Sequence, residues 1–235
     1  PFVLHDRLTP DLDAPFFEQP GHGVYRSDRL GWLRRLFDLA CDEYDRLDLD
    51  RDELVEVAVV VTDYDLVAVD PGFEIVIRPS DAALENMGDF VRDMHATSGL
   101  LEQLAGGVPL EVAEAAVLAY IARFVPNAGT APLAGNTIGT DRAFLARYMP
   151  SVDAHLHYRS VDVSSIKELS KRWYPRAFFS APTKHGGHRA LADILESIRE
   201  LEYYRRAVFV PQPGSTSAEL QAIAAAVVDE HRVDH

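Results

Sequence analysis

Cysteine, basic residues and long apolar runs are what this 235-residue chain has least of. Its one cysteine, Cys41, excludes an internal disulfide and fits a reducing, cytoplasmic setting. The apolar runs, such as Val57 to Val61, fall far short of the ~20 residues that a membrane-spanning helix needs. The opening Pro-Phe-Val-Leu-His-Asp-Arg has no charged lead-in followed by an apolar stretch, so it does not read as a secretory signal. Lys and Arg number 23 against 37 Asp and Glu, a formal charge of −14. That balance speaks against a protein that grips long nucleic acid, because each neutralised phosphate contributes through counterion release and calls for a broad basic surface. What is present is ordinary: 47% hydrophobic and 26% charged residues, enough apolar material for a core. The length suits one large domain with appendages, or two small ones.

The scarce cations are gathered. Between Tyr158 and Arg206 there are ten basic residues and six acidic ones, a net +4, which leaves −18 for the rest of the chain. A small basic site in an acidic body suits a short piece of nucleic acid held by specific contacts.

Strand and helix patterns alternate. Residues 1–29 hold scattered prolines and glycines with no sustained period and read as an irregular arm. Leu30, Leu33, Leu36, Phe37 and Ala40 recur at helical spacing. Leu54 to Thr62 is a Val-rich run with the look of a buried strand, and Phe73 to Arg78 a second strand closed by Pro79. Leu84 to Leu104 reads as helical pieces broken at Gly88 and Ser98-Gly99; Pro109 opens the strongest helix, which runs to Pro126. Pro132 to Gly135 and Ser160 to Val163 are short strands, with Thr140 and Ser164 as caps for the helices that follow. A helix is expected from Arg189 to Tyr204, then a Pro/Gly/Ser linker and a short terminal helix across 210–235. This interleaving predicts an α/β domain over residues 30–209.

Three aspartates, Asp141, Asp162 and Asp193, fall where strands or loops give way to helices. Asp193 lies five residues after His188, which follows Gly186-Gly187. Five helical residues are ~500°, about 140° off the same face, so the two converge only if His188 lies on the loop before the helix. Hard divalent ions are held by one or two carboxylates plus substrate phosphates, and a histidine beside them can act as a general base toward water. Taken alone, these residues fit helix caps and a surface histidine better. His155 and His157 have a metal-like spacing but no carboxylate or thiolate nearby. Trp32 and Trp173 fit packing rather than base stacking. Cys41 lies in no recognised nucleophile arrangement. Asp45, Asp48, Asp50 and Asp52 read as a solvated acidic turn, since the glycine and terminal glutamate of a calcium loop are missing.

Three longer blocks are more specific. Gly135-Asn136-Thr137-Ile138-Gly139-Thr140-Asp141-Arg142, then His157 to Leu169 (HYRSVDVSSIKEL), then His188-Arg189-Ala190-Leu191-Ala192-Asp193-Ile194 resemble oligoribonuclease, in order and at the right spacing. That family belongs to the DEDD exonucleases with a catalytic histidine, on a ribonuclease H-like fold. The resemblance runs from about Leu47 to Pro213 and takes in Met94 to Leu100 and Glu200 to Arg205. It implies a mixed sheet flanked by helices and a 3′-to-5′ exoribonuclease that degrades very short oligoribonucleotides, dinucleotides above all, to nucleoside 5′-monophosphates. It also implies two Mg²⁺ or Mn²⁺ ions, one activating water and one stabilising the leaving 3′-oxygen. By resemblance Asp141, Asp193 and Glu43 are metal ligands and His188 is the general base. Thr137, Arg159, Ser164 and Lys167 lie at or near the positions that hold the terminal phosphate. Tyr158 and Arg159 are offered across a homodimer interface in the family, and Leu47 and Phe90 align with an apolar pair that wedges against the bases. Asp162 resembles the fixed strand-end aspartate and not a metal ligand.

One patch departs from the family. Its first motif is a central strand carrying Asp-x-Glu; here Glu43 falls on the glutamate, but Cys41 stands at the aspartate position, with Asp42 one step away. One step along a strand flips a side chain to the opposite face, so Asp42 does not substitute. Leu30 to Cys41 also reads as a helix where an apolar strand belongs. The alternative reading is therefore a catalytically impaired relative that binds short nucleotides or only dimerises.

Overall fold

The computed structural model describes residues 49–183 and 189–231, and before them the backbone of Phe2–Leu4 and Asp38–Leu39. In chain order the elements are β1 (Phe2–Leu4), β2 (Asp38–Leu39), β3 (Leu54–Thr62), β4 (Phe73–Val76), α1 (Asp81–Glu85), α2 (Asp89–Thr97), α3 (Leu101–Leu104) and α4 (Leu110–Phe124). Then come β5 (Pro132–Gly135), α5 (Ile138–Tyr148), α6 (Pro150–His155), β6 (His157–Asp162), α7 (Val163–Trp173), α8 (Pro175–Phe179), α9 (Ala190–Val208) and α10 (Ser217–Glu230).

Strand β3 is the axis. All nine of its residues are buried, which is why it reads as a continuous Val-rich run and not as an alternating one. Its side chains still alternate in direction. Val57, Val59 and Val61 join Val117 and Ile121 of α4, Phe144 and Leu145 of α5 and Val152 of α6. Ala58 and Val60 join Val163 of α7 and Ile194, Ile198 and Leu201 of α9. The sheet is thus covered on both faces, and each fully buried valine contributes roughly 1.5–3 kcal/mol. Val55 packs against Met87, Val91, Leu100 and Leu104 of the α1–α3 segment.

Around β3 the pairing is mixed. Strand β4 pairs antiparallel with it from Glu56 to Val59, and β1 pairs parallel with Val60 to Thr62. Strand β1 also lies against β5, which pairs parallel with β6. Strand β2 pairs antiparallel with Leu54 and Glu56.

Two expectations are corrected here. Asp38 and Leu39 are extended and hydrogen-bonded to β3, where helical periodicity had placed them in a helix; a sheet partner satisfies backbone groups that local period alone does not account for. Phe2–Leu4, within the arm, is a strand. Among the described residues no helix is long and apolar enough to cross a membrane. Helix α10 opens on a capping box between Thr216 and Glu219 and buries none of its residues.

Candidate active site

Strand β5 ends at Gly135, and the two residues that follow turn the chain into α5. Thr137, its N-cap, has left-handed backbone angles (φ 53°, ψ 38°), a conformation that a β-branched residue rarely adopts and that costs on the order of 1–3 kcal/mol. The neighbouring chain holds it there. The Thr137 N–H donates to Asp162 Oδ1 at 3.0 Å and to Ser164 Oγ at 2.9 Å. Asp162 ends β6 and caps α7, accepting from the Ser164 N–H at 2.9 Å and the Ser165 hydroxyl at 3.1 Å. The caps are therefore Thr137 and Asp162, not Thr140 and Ser164. As expected, Asp162 is a structural strand-end residue, its oxygens taken up by these donors.

A polar chain extends inward from this turn. The Ser164 hydroxyl donates to Asn136 Oδ1 at 3.2 Å. The Asn136 amide donates to Ser197 Oγ and to Glu200 Oε2 on α9, both at 3.0 Å. The other Glu200 oxygen holds Lys167 Nζ at 3.2 Å. Glu200 is almost fully buried while the Lys167 ammonium stays partly exposed, so the cation has a fixed seat with its charge still facing solvent. A buried network of this kind specifies one geometry because each unmet partner would cost the full desolvation of its group. It gathers Thr137, Ser164 and Lys167, with the Thr137 and Ser164 hydroxyls 3.4 Å apart. Asn136, Ser197 and Glu200 are the members that sequence reasoning missed. Ser197 and Glu200 lie three apart on the buried side of α9, and two polar residues at that spacing in an otherwise apolar stripe were the available signal.

Asp141 occupies the first turn of α5 and is 4% exposed. Asp193 occupies the first turn of α9 and is half-buried. Both sit where the helix dipole favours negative charge. Glu43, Leu47 and His188 lie outside the described residues. Among the described residues no three potential ligands come together. Asp141 and Asp193 each offer carboxylate oxygen, the donor type that a hard divalent ion takes alongside phosphate and water.

Strand β6 presents Tyr158 and Arg159 outward; Tyr158 is 74% exposed. Within the chain the Arg159 guanidinium lies 5.4 Å from the Tyr158 ring centre, and the His157 ring lies 4.4 Å from the same ring. Burial, then the charges of Arg159 and Arg142, hold the His157 imidazole below its ordinary pKa. His157 Nδ1 accepts from the Arg159 N–H at 3.0 Å, and His155 Nε2 lies 2.8 Å from the Val125 carbonyl, so this histidine pair is engaged with backbone. Phe90 projects from α2 largely exposed. Packing does not hold for Trp173, which is 67% exposed. The solvated acidic turn holds at Asp50, whose side chain is 76% exposed, but not at Asp52, which is 6% exposed with its carbonyl accepting from the Tyr148 hydroxyl. Trp32, Asp45 and Asp48 lie outside the described residues.

The Exonuclease family model (RNase_T) matches residues 43–201, beginning at Glu43, the glutamate that closes the altered first motif. The chain is 62% identical over 204 residues to the oligoribonuclease of Leifsonia xyli subsp. xyli, covering 87% of this chain and 95% of that protein. It is 56% identical over 199 residues to the oligoribonuclease of Streptomyces avermitilis, covering 85% and 96%. The nuclease domain of 3′hExo, a DEDDh family member solved with rAMP, superposes with a TM-score of 0.51 at 14% identity over 74% of this chain and 91% of that one, a likeness of fold. A ribonuclease H-like α/β sheet, an ordered set of motifs and this degree of identity lead to one conclusion: the chain belongs to the oligoribonuclease family of exonucleases.

Proposed function

We propose that the protein is a metal-dependent 3′-to-5′ exoribonuclease acting on very short oligoribonucleotides, dinucleotides in particular. The observation that carries this is family membership at up to 62% identity among the relatives named above, joined to the network that groups Thr137, Ser164 and Lys167. Two hydroxyls and a seated ammonium provide donors and one cation, a set suited to a single terminal phosphate. In each hydrolysis the oxygen of water bonds to phosphorus, the bond to the preceding 3′-oxygen breaks, and a nucleoside 5′-monophosphate leaves. Two Mg²⁺ or Mn²⁺ ions, when bound at Asp141, Asp193 and Glu43, supply charge stabilisation at the phosphoryl group. His188 accepts the proton of the attacking water, and Leu47 and Phe90 wedge against the bases. The protein works in the cytoplasm.

A second reading has its own observation: Cys41 stands where the family carries aspartate, and the family match begins two residues later. That reading is a relative able to bind a dinucleotide but not to cleave it. The expected result with a 5′-labelled dinucleotide and Mn²⁺ is release of labelled mononucleotide, faster in Cys41→Asp than in the parent chain. A folded parent chain that binds the dinucleotide and releases nothing would establish the second reading instead, and activity restored by Cys41→Asp would place the defect at that position.

Assembly completes the proposal. Tyr158 and Arg159 serve a partner subunit's site in a homodimer, which is why so large an aromatic stands exposed on β6. Mixing Arg159→Ala with Asp141→Ala, each inactive alone, is expected to recover activity through heterodimers carrying one intact site. A mixture that exchanges subunits yet stays inactive would mean that the pair acts within its own chain.

A further inference from the structure

Helix α9 begins without a cap of its own. Its N-cap residue is Arg189, which offers no side-chain acceptor to the first turn, whereas helix starts ordinarily take such an acceptor from Ser, Thr, Asp or Asn. The acceptor comes from the middle of the sheet. Glu56 of β3 has the parity of Ala58 and Val60, the residues facing α9, and its side chain is 0% exposed. Its Oε2 accepts from the Ala190 N–H at 2.9 Å. Its Oε1 accepts from Arg189 Nε at 2.9 Å and lies 2.7 Å from Arg189 Nη2. The same guanidinium reaches Glu74 Oε1 on β4 at 3.0 Å. Burial and the neighbouring Glu56 charge raise the Glu74 pKa, and Arg189 pulls it back down. A buried charge is retained only where paired and hydrogen-bonded, and the fork of Arg189 supplies both.

We infer that Glu56 is a positioning residue for the exonuclease reaction: from the central strand it caps α9 and clamps Arg189, fixing where Asp193 enters the site. This rests on the reading of Asp193 and His188 as site residues. His188 is joined by a peptide bond to Arg189, and Asp193 lies one turn further on, its N–H donating to the Arg189 carbonyl at 3.0 Å. Whatever sets Arg189 therefore sets the first turn of α9, which carries Asp193. On the other side of this turn, a Cβ on Gly72 would come within 3.0 Å of Leu191, so the first turn of α9 is seated closely between the sheet and the β3–β4 turn. The substrate-phosphate group of Thr137, Ser164 and Lys167 hangs on the separate Asn136–Glu200 network. The two functions of the site are thus held at different points of one helix, by Glu56 at the first turn of α9 and through Glu200 about three turns on.

The test is Glu56→Gln, which keeps the size and one acceptor but removes the charge, with Asp193→Ala and Tyr120→Phe beside it. Tyr120→Phe removes a 2.5 Å hydrogen bond to Asp70 on the opposite side of the sheet and serves as the control for lost stability. Displacing a catalytic group by about 1 Å costs up to ~10²-fold, so kcat in Glu56→Gln is expected to fall roughly 10- to 100-fold with KM for the dinucleotide within about threefold. Amide exchange at Leu191 to Asp193 quickens, and calorimetric Mn²⁺ affinity falls. Tyr120→Phe retains kcat. If Glu56→Gln fails to fold, Arg189→Lys, which keeps the charge but loses the fork, is expected to give the same pattern. Parental kcat in the folded variant, or an equal loss in Tyr120→Phe, overturns the inference while the site reading stands. Full activity in Asp193→Ala overturns the site reading itself.

Discussion

Asp141→Ala removes turnover and Mn²⁺ binding together, while the protein remains folded. This is the largest effect expected of any described residue. Asp141 is buried in the first turn of α5, at the end of a strand–helix turn whose backbone is strained at Thr137 and braced by Asp162 and Ser164. A carboxylate there gains from the helix dipole, by about 0.3–1 kcal/mol at exposed sites and more when partly buried. It also presents oxygen, the donor that hard divalent ions require. Asp141→Asn tests charge against shape. The amide retains one oxygen and the volume, so a purely structural aspartate would tolerate it, whereas a metal ligand would lose the ion nearly as completely as in the alanine variant. Calorimetric titration with Mn²⁺, followed by mononucleotide release from a labelled dinucleotide, reads both. Normal Mn²⁺ binding by Asp141→Ala would remove this residue from the metal site.

Local patterns carried much of the architecture. The strand from Pro132 to Gly135 has the expected bounds, the Val-rich run is the buried axis, and helical pieces break at Gly88 and Ser98-Gly99 as read. Each is fixed by short-range chemistry: a β-branched run, a proline, a glycine. Where the structure differs, a distant partner decides. Strand β6 starts at His157, three residues before the expected Ser160, because Tyr158 and Arg159 are exposed and bring no apolar alternation to reveal the strand. Thr137 caps α5 in place of Thr140 because Asp162 and Ser164, more than twenty residues away, hold it in a conformation that its branched side chain disfavours. Asp38–Leu39 takes strand form through pairing with β3.

The site divides in the same way. The family resemblance named Asp141, Asp193, Thr137, Ser164 and Lys167, since these fall on the quoted blocks. It gave no account of Asn136, Glu200 or Glu56, whose importance lies in bonds across 64 and 134 residues of sequence. Residues assigned to the substrate by resemblance sit in compact motifs, whereas residues that fix those motifs relative to one another sit wherever the fold brings them. A glutamate inside a run of valines was the clearest such signal, because a buried charge on a central strand demands a partner.

His188→Ala is expected to reduce turnover by roughly 10²- to 10⁴-fold, the usual cost of losing a general base, with little loss of Mn²⁺ affinity. The base must be neutral to accept a proton, so the parental rate falls as pH drops through the histidine's pKa; an ordinary imidazole titrates near ~6.5. If His188 is that base, His188→Ala is expected to flatten the acid limb of the kcat–pH profile. A histidine that only hydrogen-bonds nearby backbone predicts something else, a modest stability change with rate and profile intact. His188→Ala and Asp141→Ala should be measured side by side. Loss of activity with retained Mn²⁺ in the first, and loss of both in the second, assigns the proton to His188 and the ion to Asp141. Equal loss of Mn²⁺ in the two variants would make His188 a ligand or a structural post, and the proton would then need another acceptor.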